Sequence, residues 1–126
     1  MPTAIKHQWN AIELEALSPT ISRKLIHLDR LMLAQVFLKT GAIVPAHEHE
    51  NEQGTYILEG CLRFWLGPHA DAPGDEYVDI HAGEVLMIPG GVRHRAVALE
   101  DTLDLDVFTP PRADWLAKDD AYLRGK

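Results

Sequence analysis

The sequence predicts an all-β fold, a sandwich or barrel of short strands, on three observations. Beyond position 30, Gly and Pro recur at intervals of about eight to twelve residues. β-Branched and aromatic residues fill those intervals, as half-buried pleated surface requires. At 126 residues the chain matches one domain of about 100–150 residues around one core.

The expected strands are Ile21–His27, Leu31–Lys39, Ile43–His49, Gln53–Leu58, Cys61–Leu66, Tyr77–Ile80, Val85–Ile88, His94–Leu99 and Thr102–Phe108. Gly41 and Pro45 fix the entry to the third. Glu59-Gly60 reads as a tight hairpin turn, because Gly supplies the positive φ such turns need. The Gly, Pro and Asp content of Gly67–Glu76 marks an exposed loop. Pro110-Pro111 stops the last strand. Trp115, Leu116 and Leu123 then suit a short helix or turns packed on the outside of the barrel as a C-terminal cap. No repeat, low-complexity tract or linker divides the chain, so residues 1–126 are expected to form a single domain.

Composition excludes several function classes. The chain is 46% hydrophobic and 25% charged, which suits a packed core and not disorder. Twelve Lys and Arg against nineteen Asp and Glu give a net charge of −7, with no basic stripe, so no nucleic-acid partner is expected. The first residues lack the charged and apolar regions of a signal peptide. Apolar runs such as Leu31–Ala34 and Val85–Ile88 fall far short of the roughly 20 residues of a membrane helix. A cytoplasmic location without membrane contact is expected. Cys61 is the only cysteine, which rules out an intrachain disulfide or a thiolate zinc site, and it reads as a small buried hydrophobe.

Seven histidines remain. His7, His27, His69 and His81 fall at the N-terminus, a strand end, a polar loop and a turn, and read as surface residues. His47 and His49 are different, because residues two apart on a strand share one face and can converge on one metal ion, although such a pair taken alone is more often a surface or core pair. Gln53 follows four residues later, which puts an amide oxygen where a fourth-ligand side chain could arrive from the next strand.

Two blocks carry a family resemblance. The first is Gly41, five residues, His47-Glu48-His49, three residues, Gln53, six residues, Gly60. The second is Gly83, five residues, Pro89-Gly90-Gly91, two residues, His94. They resemble the two motifs of the cupin superfamily, at 41–60 and 83–98. The resemblance implies a jelly-roll-like barrel (a double-stranded β-helix) with a short C-terminal helix or turn segment. It also implies one divalent transition metal at His47, His49, Gln53 and His94. Gln53 stands where the family usually has Glu, and Ala98 where the second motif usually ends in Asn. Three imidazoles and an amide leave the ion's charge uncompensated, so the centre favours anionic ligands and Lewis-acid chemistry over the two-His, one-carboxylate pattern of iron oxygenases. Nickel, zinc, iron, manganese and cobalt all suit such donors.

The segment Thr102–Phe108 alternates, with Asp104, Asp106 and Phe108 on one face and Leu103, Leu105 and Val107 on the other. Aspartates facing solvent would be the ordinary arrangement. Phe108 on their face, and Arg112 just after the rigid Pro-Pro, point them inward instead. Asp106-Val107-Phe108-Thr109-Pro110-Pro111-Arg112, with Gln53, resembles the small pectin-degradation cupins that act on 4,5-unsaturated uronates. The resemblance implies ring opening and ketonisation of such monouronates, from pectin or alginate. Asp106 would be the acid/base, Arg112 would bind a sugar oxygen or the carboxylate, and Phe108 would position the ring. Two other functions stay open: a cupin dioxygenase using bound iron, and a non-catalytic sugar-binding cupin. Inward aspartates leave the leucines outward, and Trp9, Ile12, Leu14, Leu17 or a second subunit would cover them, so a homodimer is expected.

Overall fold

The computed structural model describes residues 2–125. The strands are β1 (Glu15–Ala16), β2 (Ile21–His27), β3 (Met32–Leu38), β4 (Ile43–His47), β5 (Glu52–Glu59), β6 (Cys61–Leu66), β7 (Val78–His81), β8 (Val85–Ile88), β9 (His94–Ala98) and β10 (Thr102–Thr109). A single helical turn, α1 (Ala113–Leu116), and 3-10 turns at Trp9–Ala11, Gly67–Ala70 and Ala121–Leu123 complete the backbone. The strands form two antiparallel sheets, β1-β2-β3-β10-β5-β8 and β4-β9-β6-β7. The all-β expectation holds, and β2, β6 and β8 begin and end where the sequence puts them.

The two sheets face each other across the core. From β3 come Met32, Ala34, Val36 and Leu38, from β5 Ile57, and from the opposite sheet Leu62, Phe64, Ile80 and Ala96, all buried. Burying side chains the size of Leu, Ile or Phe contributes about 1.5–3 kcal/mol each. Gly60 is required at the β5–β6 turn: its φ is +94°, and a Cβ there would lie 2.4 Å from the Asp101 carbonyl oxygen. The absent side chain lets the hairpin press against the chain entering β10. No helix among the described residues is long and apolar enough to cross a membrane.

Three expectations need correction. The strand carrying both first-motif histidines ends at His47 and does not continue to His49. Pro45 has no N–H to give the ladder, and pairing with β9 becomes irregular between Val44 and His47. His49 therefore leaves the strand and sits in the following loop. Second, the C-terminal segment does not pack on the outside of the barrel. Trp115 and Leu123 enter the core cluster, and the segment crosses the barrel mouth. Arg23 on β2, 1% exposed, pairs at 2.5 Å with Asp120, 0% exposed, and this clamp decides the path. Glu15 joins it by pairing with Arg23, Lys118 and Arg124. Third, Leu17 belongs to the core and not to a cover over the outer leucines.

Candidate metal centre and its acidic wall

His47 ends β4 and is paired in register with His94, which begins β9. The loop after β4 brings His49 alongside, so one ligand nitrogen from each ring falls within 4.8 Å of the others. Every ring is oriented in the same way. Nδ1–H of His47 donates to the Pro45 carbonyl at 2.9 Å, that of His49 to Asn51 at 3.1 Å and that of His94 to Val92 at 2.9 Å. The carbonyls fix the tautomer, and each Nε2 carries a lone pair. Burial drives the His47 pKa down to about 3 and that of His94 to about 4, and it lowers His49 as well. All three are neutral at pH 7.

Gln53 completes the set. Its Nε2 donates to Thr55 Oγ1 at 2.9 Å, and Thr55 Oγ1 donates to Asp106 Oδ1 at 2.8 Å. That relay turns the amide oxygen toward the histidines, 3.1 Å from His49 Nε2. Both atoms are acceptors in these orientations, so no proton relieves the contact. His94 Nε2 is buried with no hydrogen-bond partner among the described residues. Converging neutral acceptors without a donor fit a cation, and imidazole nitrogen with amide oxygen suits a divalent transition metal.

Beside the histidines, β10 presents Asp104, Asp106 and Phe108 inward, all buried. Burial raises the pKa of both aspartates. Two carboxylates this close cannot both ionise in a dry site. Asp104 is raised further, by burial and then by the Asp106 charge. For Asp106, hydrogen bonds from Asp104 and Thr55 and the Arg112 charge offset part of the burial effect. The proton the pair shares is therefore bound more strongly on Asp104 than on Asp106. Phe108 meets His49 edge-on at 5.9 Å and Trp115 at 5.0 Å.

Arg112 is buried over Phe108 and Trp115, its guanidinium 5.2 and 4.9 Å from the ring centres. Its fork is engaged within the chain: Nε and Nη2 donate to Asp114 at 3.0 and 2.8 Å, and Nη2 also donates to the Tyr122 hydroxyl at 2.7 Å. Asn51 ties the two walls together, since its amide donates to the Pro110 and Pro111 carbonyls just before Arg112.

The Cupin domain family model matches residues 34–109. The chain belongs to the cupin family. Among solved structures this cupin resembles KdgF from a Halomonas species, with 29% identity, 90% of this chain and 99% of that chain covered and a TM-score of 0.79. It also resembles an RmlC-like cupin from Shewanella frigidimarina, with 22% identity, 90% and 96% coverage and a TM-score of 0.78. Oxalate decarboxylase from Bacillus subtilis shares the fold at 18% identity and a TM-score of 0.70, with 87% of this chain matching 30% of that longer one. A search of curated proteins gives no match.

The seven residues that the sequence singles out thus meet at one end of the cupin barrel. His7, His27, His69 and His81 are exposed, and Cys61 is buried with its thiol pKa pushed up by burial. Four residues of the site were given no role in the sequence reading, although alternation already turned Asp104 inward. Asp104 and Thr55 had a signal, since each shares a strand face with a residue already chosen, Asp106 and Gln53. Asn51 and Tyr122 had none, because the contacts that bring them to the site, Asn51 with Pro110 and Pro111 and Tyr122 with His47, join segments far apart in the chain.

Proposed function

We propose that this cupin opens the ring of 4,5-unsaturated monouronates from pectin or alginate breakdown and ketonises them to linear keto sugars. One observation carries the reading: His47, Gln53 and His94 line the same cavity as Asp106, Phe108 and Arg112. The likeness to KdgF from a Halomonas species, at 29% identity over 90% of this chain, supports it. His47, His49, Gln53 and His94 would hold the metal. When bound, a divalent ion there supplies Lewis-acid charge beside the oxygen on which negative charge develops.

The chain's own residues account for the proton movements. Asp106, the more acidic member of the pair, takes the proton of the C1 hydroxyl. The C1 carbonyl forms as the bond from C1 to the ring oxygen breaks, and that electron pair passes to the ring oxygen to give a C5 enolate. Asp106 then gives the proton to C4, which leaves a ketone at C5. A positioned acid/base of this kind is worth about 10²–10⁴-fold. Phe108 orients the sugar ring. Arg112 binds the carboxylate or another sugar oxygen.

The reading places residues 1–126 in the cytoplasm as a single cupin domain that forms a homodimer. The outer face of the larger sheet supplies the surface, with Tyr56, Val85 and Met87 exposed beside the half-buried Leu105 and Val107. The test follows the ultraviolet absorbance of freshly lyase-generated unsaturated uronate. Loss faster than the spontaneous rate, abolished by stripping the metal and restored by adding it back, is the expected result. No acceleration by the metal-loaded protein overturns the proposal.

A further inference from the structure

The cavity beside the histidines has a volume of about 40 Å³. Small-molecule sites run to about 300–1,000 Å³. A few waters fit there, but a sugar acid of a dozen heavy atoms does not. Tyr122 takes up the missing room. Its ring lies 4.6 Å from that of His47, and it lines the cavity together with Arg112 and Trp115. Its hydroxyl accepts from Arg112 Nη2 at 2.7 Å and from Trp115 Nε1 at 3.2 Å.

The backbone on both sides of Tyr122 is fixed. Asp120 is buried against Arg23, and Leu123 is buried in the core. The side chain itself is held over the histidine by those two hydrogen bonds and the ring contact. Rotation of the Tyr122 side chain therefore opens the mouth without unpacking the segment that carries it. The rotation also frees an N–H of Arg112 facing the vacated space. An anionic oxygen arriving there is a stronger partner for the guanidinium than the neutral phenol oxygen it replaces.

We propose that Tyr122 is a specificity-determining cover. A carboxylate ligand of sugar size reaches the metal site only by displacing the phenol and taking its place on Arg112, whereas a small carboxylate enters beneath it. The choice of a sugar acid as ligand rests on the function proposed above; the cover itself rests on the cavity and its contacts. Displacement taxes the apparent affinity by the fraction of molecules that are open, so the tax falls on large ligands only.

The test is calorimetric binding of acetate, glycerate and galacturonate to the nickel-loaded protein, to Tyr122→Ala and to Tyr122→Phe. Affinity for galacturonate should tighten about tenfold in Tyr122→Ala while acetate stays within about twofold, since only the larger ligand pays for opening. Tyr122→Phe keeps the ring and loses both hydrogen bonds, so galacturonate should tighten about threefold. If Tyr122→Ala loses acetate binding as well, its site is damaged and the Phe variant decides the question. The same size dependence in all three proteins overturns the cover, and so does weaker galacturonate binding without the phenol. Tighter galacturonate binding with no ketonisation of unsaturated uronate leaves the cover standing and removes the proposed reaction. Ketonisation with no change in size dependence does the reverse.

Discussion

Strands β3 and β10 lie side by side in one sheet, with Val36 opposite Asp104, Ala34 opposite Asp106 and Met32 opposite Phe108. Both strands bury every second side chain. On β3 those side chains are Met, Ala, Val and Leu; on β10 two of the four are carboxylic acids. A buried carboxyl costs several kcal/mol unless it is neutralised or fully hydrogen-bonded. Asp104 Oδ1 nevertheless has no partner among the described residues. Equal burial thus serves opposite ends. β3 stabilises the barrel, and β10 gives up stability to hold a proton-sharing pair at the mouth.

Substitutions on the two strands test the contrast, and the largest effect belongs to Asp106. Asp106→Ala should lower turnover of unsaturated uronate by about 10²–10⁴-fold. Metal content, read by elemental analysis, should stay that of the parent protein, because Asp106 meets Gln53 and Thr55 but belongs to no ligand pair. Unchanged turnover would remove Asp106 as the base. Met32→Ala on the neighbouring strand should do the opposite: a loss of about 2–5 kcal/mol in denaturant unfolding, with turnover of the folded fraction retained. Were Met32→Ala to inactivate without destabilising, the division between the strands would collapse.

Asp104→Leu sharpens the contrast further. Replacing a buried, incompletely satisfied acid by an apolar side chain should raise unfolding free energy by about 1–2 kcal/mol, and turnover should fall because Asp106 loses the partner that binds the pair's shared proton more strongly. The smallest effect lies at the clamp on β2. Burial alone would raise the Glu15 pKa, but Lys118, Arg23 and Arg124 bring it down from 4.5 to about 2. A depressed acid contributes stability that is complete above its unfolded value and lost as pH falls from about 4.5 toward 2. Thermal melts of Glu15→Gln should therefore lie below the parent at pH 6, by about 0.5–1 kcal/mol, and converge with it near pH 2.

Much of the fold was legible because its signals are local. Gly60 and the proline pair punctuate the chain, and alternation orients Asp104, Asp106 and Phe108 without any knowledge of their neighbours. The histidine cluster was legible through spacing. What escaped depends on pairs far apart in sequence. Nothing local singles out Asp120, and only its pairing with Arg23 turns the C-terminal segment across the mouth. His49 joins the other two histidines by a different route from the one the sequence implied, since a loop delivers it and not a strand. Local pattern reports which face a residue shares, and only long-range packing reports what that face meets.

The place of β10 between β3 and β5 also orders the birth of the molecule. The metal-ligand candidates are complete once His94 has left the ribosome, yet the larger sheet still has a gap where Thr102–Thr109 belongs. Until that strand arrives, β3 and β5 each present an unpaired edge, the kind of template on which nascent chains misassociate. Closure joins residues as distant as Met32 and Phe108, and contacts of such long range form slowly. The strand that completes the barrel also brings Asp106, so the candidate base arrives only with the closing of the sheet.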